Sequence, residues 1–385
     1  MAEMLTGVNG NILKWAREFY NMSIEEAAAA IDVDCEKYCN WELGNDFPTY
    51  TKLKKISDVF HKPSAVFFFP EPPILPPTKG DLRTLPDSVV EKFSKNIIIQ
   101  FEKAKSYQIS LRELYGEKES IISKRSEFPN GCDNLCDYIR KQMAFPIESQ
   151  KGRKSAKVVF EIFRGKFYEL GIYVFKDSFK DDNVSGLCLN DDQYPIIIIN
   201  NSMSFARQNF TLFHELYHLI SNTSGAEIIR DDFYDYLNAQ QTQSEKSCDV
   251  FANDFLVPPN DFKLELQKLT IDEDNITDLA ILYSVSKEAI MYKLLTMGKL
   301  SHMDYDRLKE TFYGDAIRNI SQRGKGNGGG NYYFTKLSYL GQHYAGDVFK
   351  EYFSGRIDSI RASEMLGSKI DHLPKLESAY FRGLK

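Results

Sequence analysis

No stretch of this chain approaches the ~18 apolar residues that a membrane-spanning helix needs. The apolar runs are short, such as residues 65–69 (AVFFF) and the four isoleucines at 196–199, which excludes an integral membrane protein built of helices. Cysteine is scarce, 6 in 385 residues, too few for a disulfide scaffold. The first residues, MAEMLTGVNG, hold no basic stretch followed by an apolar core. The two absences together predict a reduced, cytoplasmic protein. Neither sign of charge dominates: 48 basic side chains stand against 54 acidic, a net −6. That excludes a protein whose whole surface coats nucleic acid, while a local basic patch stays open. Tandem repeats are missing, and a charged fraction of 26% against 43% apolar excludes wholesale disorder. The one glycine-rich run, RGKGNGGGN at 323–331, lacks G-x-x-x-x-G-K-[ST] and is no phosphate loop. Histidine is as rare as cysteine, 6 in all, and two of the six fall four residues apart.

At ~150 residues per domain the length predicts two or three domains, and shifts in composition divide the chain. Residues 1–69 read as short helices. Ser23-Ile24-Glu25-Glu26 fits a capping box, in which serine and glutamate satisfy each other's free amides. Gly44 ends a third helix begun near Cys35. Pro48 and Thr49 open a fourth, with Leu53, Ile56 and Phe60 on one face. Residues 70–85 hold five of the 14 prolines and form an extended linker. Residues 86–320 are the largest block. It is helical to about 145, with strand-like runs at 171–175, 184–189 and 194–200; the isoleucines mark the last as well buried. A helical period runs from Phe205 to about Ile220. Residues 221–243 are polar, with Gly225 as a pivot. A second helix starts near Thr242 and stops at Pro258-Pro259, where proline cannot continue it. A glycine-rich linker, 321–331, leads to a small helical C-terminal domain, 332–385. The expected class is α+β and mostly helical, with a small sheet.

The segment His214-Glu215-Leu216-Tyr217-His218 lies inside the 205–220 helix. Residues four apart stack on one helical face, so both imidazoles can reach one cation. Glu215, one step round, is badly placed as a third ligand but can hold and deprotonate a water beside the metal. Chance also produces this spacing. What argues against chance lies downstream: a catalytic zinc takes three protein ligands and one open position. The next helix offers Glu245 and, four residues on, Asp249. Glu245 can complete the ligand set, and Asp249 can accept a hydrogen bond from the outer nitrogen of a ligating histidine. The competing readings are a capping box, Thr242-Gln243-Ser244-Glu245, and a solvated surface charge at Asp249.

The segments FTLFHELYHLI (210–220) and EKSCDVFANDFLVP (245–258) resemble the ImmA/IrrE family of zinc metallopeptidases. They share its Thr-x-x-His-Glu-x-x-His helix and a downstream glutamate helix running through Phe-Ala to a Leu-x-Pro end. The resemblance is strongest over 155–260. It implies a zincin-like core, Zn²⁺ held by His214, His218 and Glu245, and Glu215 as general base. Two departures stand out: Cys248 where the family usually has alanine, and Asp249 where it often has asparagine. The second moves the pattern toward the Glu-x-x-x-Asp of thermolysin-like peptidases. The implied activity is endopeptidase cleavage of a transcriptional repressor or antitoxin, switching on stress or mobile-element genes. The rival is a non-proteolytic DNA-binding regulator or antitoxin whose zinc is structural or sensing. Three further expectations attach to the site. Residues 196–200 would be an edge strand that pairs with an extended substrate, and 221–243 would be either an ordinary surface connection or a lid over the site. Arg230, Tyr234 and Tyr236 are candidates for stabilising the oxyanion.

Residues 23–31, a short turn and 35–44 have helix-turn-helix spacing. With Trp41-Glu42-Leu43-Gly44, Pro48-Thr49, Leu53 and Ile56 they resemble the Xre/Cro-like repressor fold, and 332–385 resembles the tail of metallopeptidases that carry such a module. DNA readout would fall to Lys37, Tyr38 and Asn40. Charge opposes it: residues 1–60 hold 6 basic and 10 acidic side chains. Neutralising phosphates supplies most non-specific affinity, so any DNA affinity is expected to be weaker than ~1 µM. Weak DNA binding, docking of a protein partner and a structural remnant stay open. Cys35/Cys39 and Cys132/Cys136, each four apart, read as buried free cysteines rather than metal pairs. His61, His302, His343 and His372 have no partner at ligand spacing.

Overall fold

The computed structural model describes residues 3–73, 93–153, 155–223, 225–228, 239–322 and 331–383. Most of the proline-rich and glycine-rich linkers lies outside the described residues, as do Arg230, Tyr234 and Tyr236. Two units separate, Met1–Glu102 and Lys103–Lys385. The class is α+β and mostly helical, with an N-terminal helical bundle and a small sheet.

The first unit is built from α1 (Gly10–Phe19), α2 (Ile24–Ile31), α3 (Cys35–Glu42) and α4 (Tyr50–Val59). The capping box forms: the Glu26 amide donates to Ser23 Oγ at 3.2 Å, and the Ser23 amide to the Glu26 carboxylate at 2.8 Å. The chain passes from α2 to α3 through Asp32 at φ 60°, a left-handed conformation that aspartate tolerates. Gly10 lets α1 lie close on α3, since a Cβ there would sit 2.3 Å from the Glu42 carbonyl oxygen. Tyr20, Tyr38, Trp41, Phe60 and Phe67 fill the centre. Arg17 donates to both carboxylate oxygens of Glu42, at 2.7 and 3.0 Å.

Two expectations fail on α3. Tyr38 is fully buried with its ring edge-on to Trp41 at 6.2 Å, so it is not presented for base readout. Lys37 is exposed and Asn40 half-buried. Cys35 is exposed and Cys39 half-buried, because Tyr38 and Trp41 take the core side of this short helix. Of the second pair, Cys136 is buried and Cys132 half-buried.

The second unit is organised on a four-stranded sheet of β1 (Tyr173–Asp177), β2 (Val184–Leu189), β3 (Ile196–Asn200) and β4 (Gly225–Ile228), in the order β1-β3-β2-β4. β3 runs parallel to β1, with Tyr173 opposite Ile196, and antiparallel to β2, with Leu187 opposite Ile198. All five of its residues are buried. Residues 196–200 are therefore an inner strand, not the expected edge: a run apolar on both faces needs cover on both. Among the described residues the edges are β1 and β4. β4 was not expected. Its register puts Ala226 opposite Leu187, so Gly225 belongs to a strand; the rest of the candidate lid, 229–238, lies outside the described residues.

Of the helices α5 (Cys132–Gln142), α6 (Ala156–Glu169), α7 (Phe205–Ile220) and α8 (Ala239–Leu256), α6 and α7 pack on the sheet, α8 packs on α7, and α5 on α8. α7 lies tightly on β2 at Gly186, where a Cβ would come within 2.4 Å of Thr211 Cγ2. α7 and α8 are held together by Phe213 stacked on Phe255, ring centroids 3.9 Å apart. Phe163 and Phe167 of α6 press edge-on against Phe213. The last carbonyls of α8 have no partner within the helix and accept from buried side chains. Arg140 donates to Phe255 O, and Gln150 to Leu256 O at 2.9 Å. Helices at Pro259–Leu266, Glu273–Tyr283, Lys287–Thr296 and His302–Gln322 follow, and then α9 (Tyr332–Leu340), which packs against β1. Buried Arg164 of α6 ties this region together, donating to Val174 O at 2.8 Å, Ser338 O at 2.7 Å and Tyr339 O at 2.6 Å. Among the described residues no helix is long and apolar enough to cross a membrane.

Candidate metal centre

α7 turns Leu212, Phe213, Leu216 and Leu219 into the core. His214, Glu215 and His218 on the same helix are only 2%, 0% and 3% exposed, so each must be satisfied from within. The Nε2 atoms of His214 and His218 face each other at 3.2 Å. Glu245 of α8 brings Oε2 to 3.3 Å from His214 Nε2 and Oε1 to 3.5 Å from His218 Nε2.

The outer ring nitrogens are held separately. His214 Nδ1 lies 3.0 Å from Asp249 Oδ1, and His218 Nδ1 lies 3.0 Å from Thr223 Oγ1. The Asp249 carboxylate can only accept. The Thr223 hydroxyl already donates to the His218 carbonyl at 2.9 Å, so it too accepts from the ring. Both Nδ1 atoms carry the proton, and both Nε2 lone pairs point into one space.

Two lone pairs and a carboxylate converging in a buried place call for positive charge between them. Burial works against a charge on His218, yet Cys248 and Glu245 outweigh it and push the imidazole well above its ordinary range. Burial likewise works against ionisation of Glu245, and the imidazoles of His214 and His218, which donate to it from Nε2 once protonated, reverse this and hold the carboxyl far below the usual range. A cation would satisfy the same atoms. Zinc bound tetrahedrally at ~2.0–2.1 Å separates its ligand atoms by ~3.3 Å, and these three donors already stand 3.2–3.5 Å apart. The donor set fits such an ion.

The structure thus brings together His214, His218, Glu245 and Asp249, and Glu215 is buried beside His214 on the same helix. Because α8 begins at Ala239, Glu245 sits inside the helix and is not the capping residue of its first turn. Lys37, Tyr38 and Asn40 belong to the first unit. Two participants escaped the sequence reading. Thr223 follows α7 where no spacing rule marks it. Cys248 has its Sγ among a group of ligand atoms, with those of His214 and His218, all within 4.8 Å of one another. Its signal was at hand, since a residue three after Glu245 shares its helix face.

Residues 168–295, from the end of α6 to the helix Lys287–Thr296, match the family model of the IrrE N-terminal-like domain. The match supports a metallopeptidase-like function of the ImmA/IrrE kind and spans all seven of these site residues, Thr223 and Cys248 included. No curated protein matches the chain.

Proposed function

We propose that this chain is a zinc-dependent endopeptidase of the ImmA/IrrE type, acting on a repressor-like or antitoxin protein. The observation that carries the reading is the convergence of His214 Nε2, His218 Nε2 and the Glu245 carboxylate, with Glu215 buried next to His214 in the chain. These three would hold the ion, with Asp249 and Thr223 fixing the two tautomers. Zinc, when bound, supplies a Lewis acid for the scissile carbonyl and lowers the pKa of a water to ~7. Glu215, one residue round α7 from His214, is the base: its carboxylate takes the proton of the attacking water and passes it to the leaving amine. β4 follows α7 directly and is an edge among the described residues, which suits an extended substrate adding as a further strand.

In the first unit, burial of Tyr38 and pairing of Glu42 with Arg17 leave α3 little for base readout. That favours docking of a protein partner over DNA binding. One observation favours a second reading of the metal site, a non-proteolytic regulator with a closed zinc: the sulfur of Cys248 beside the two histidines.

Glu215→Gln separates the readings. The variant keeps the shape of a residue that is not a ligand, so it should retain about one zinc per chain. Cleavage of a co-expressed repressor-like substrate should fall about 100-fold or more. Cleavage at the wild-type rate would remove Glu215 as the base. A wild type that holds zinc and cleaves nothing would turn the assignment to the regulator.

A further inference from the structure

We propose that Cys248 is a further ligand of the metal held by His214 and His218, and that its thiolate closes the resting site. This rests on the metal-site reading and not on the peptidase reading. Cys248 Sγ and the ligand atoms of both histidines lie within 4.8 Å of one another. The side chain is fully buried and stands three residues after Glu245 on α8, where helical geometry turns both toward one point. Zinc bonds of ~2.0–2.1 Å to nitrogen and ~2.3 Å to sulfur put the two atoms ~3.5 Å apart. A shift of about 1 Å, within reach of a χ1 adjustment, therefore brings the sulfur into the ligand sphere. Buried cysteines elsewhere serve as small apolar fillers. Such a filler has no cause to face two imidazole nitrogens whose lone pairs are held ready for a cation.

Two consequences follow from a fourth protein donor. His214, His218, Glu245 and Cys248 fill a tetrahedron and leave no position for water, so the loaded site rests inactive until the thiolate steps off. The soft sulfur also narrows the choice of metal, favouring zinc over manganese or magnesium.

Cobalt(II) in place of the native metal reports the sulfur directly, because a thiolate ligand adds an intense sulfur-to-cobalt absorption in the near ultraviolet. The full-length wild type, loaded with one cobalt per chain, should show this band. Cys248→Ala and Cys248→Ser should lose it and still bind cobalt, at least about tenfold more weakly. Azide, which perturbs the visible cobalt spectrum by entering an open position, should leave the wild type unchanged and shift the spectrum of Cys248→Ala. Cobalt bound by the wild type without the band overturns the thiolate ligand and leaves the metal site standing. A band together with an azide response in the wild type overturns closure. Failure to bind cobalt at all sinks the metal reading and this inference together. A band without proteolysis by any variant upholds the ligand and removes only the peptidase.

Discussion

Thr223 acts on the metal centre without being a ligand. Its hydroxyl spans the His218 carbonyl and Nδ1, and so selects the tautomer that leaves Nε2 free. Thr223→Val keeps the shape and deletes both bonds. We expect zinc affinity to fall about 10–100-fold in competition with a chromophoric chelator; unchanged affinity would show that α7 alone orients the ring. Lys176 poses a different problem for a single side chain. Its ammonium is buried against the rings of Phe160 and Phe205, 5.1 and 4.7 Å from their centroids. Burial lowers its pKa from 10.5 to about 8. Below that value both folded and unfolded chains hold the proton, and the fold bears the whole cost of burying it. Between about 8 and 10.5 the unfolded chain binds more protons, so this residue opposes folding less as pH rises. Lys176→Met should therefore stabilise the protein at neutral pH, with a gain that shrinks as pH approaches 10.5. Urea melts of both proteins at several pH values test this, and a gain flat with pH would show that charge is not the cost.

Among the elements, the contact of α7 with β2 depends on one missing side chain. A Cβ at Gly186 would press on Thr211 Cγ2 at 2.4 Å and approach Ile198 O at 3.2 Å. Gly186→Ala should cost about 1–3 kcal/mol or more by overpacking. Adding Thr211→Ser, which removes the opposing methyl, should return part of that loss in thermal melts. No recovery would place the strain in the strand itself. α7 was legible in the sequence because its 3.6-residue period and its ligand spacing coincide. β3 was legible as a buried strand, but its neighbours were not, since pairing with β1 and β2 is a long-range property that no local pattern encodes. β4 was hidden for another reason: Gly225-Ala226-Glu227-Ile228 has little strand preference, and pairing with β2 imposes its form. The first turns of α8 were missed because the capping-box pattern Thr242-Gln243-Ser244-Glu245 is the fuller start signal, outweighing the single asparagine at 238. The i, i+4 cysteines of α3 were misassigned because in eight residues the aromatic stripe and the cysteine stripe compete for one core-facing side.

For the molecule as a whole, the polar residues that join distant segments were the least legible. Arg140, Gln150 and Arg164 show no period that separates them from surface charges, yet each is buried and donates to backbone carbonyls far along the chain. Arg164 is the clearest case. A chain ended after residue 322 leaves it one of its three carbonyl acceptors and removes α9 from β1. We expect such a truncation to lower the melting temperature and the soluble yield. Wild-type melting would show that residues 332–385 add nothing to the stability of the rest.

The same clamp sets a schedule on the ribosome. Arg164 and Ser338 are separated by 174 residues. At a synthesis rate of about 5–20 residues per second, roughly ten to thirty seconds pass between the appearance of the donor and that of its two later acceptors, Ser338 O and Tyr339 O. Throughout that interval the part of β1 that α9 packs against waits uncovered, the kind of surface on which nascent chains find each other. Codon usage that slows translation between α6 and α9 would lengthen the wait, and a holding chaperone would be needed most there.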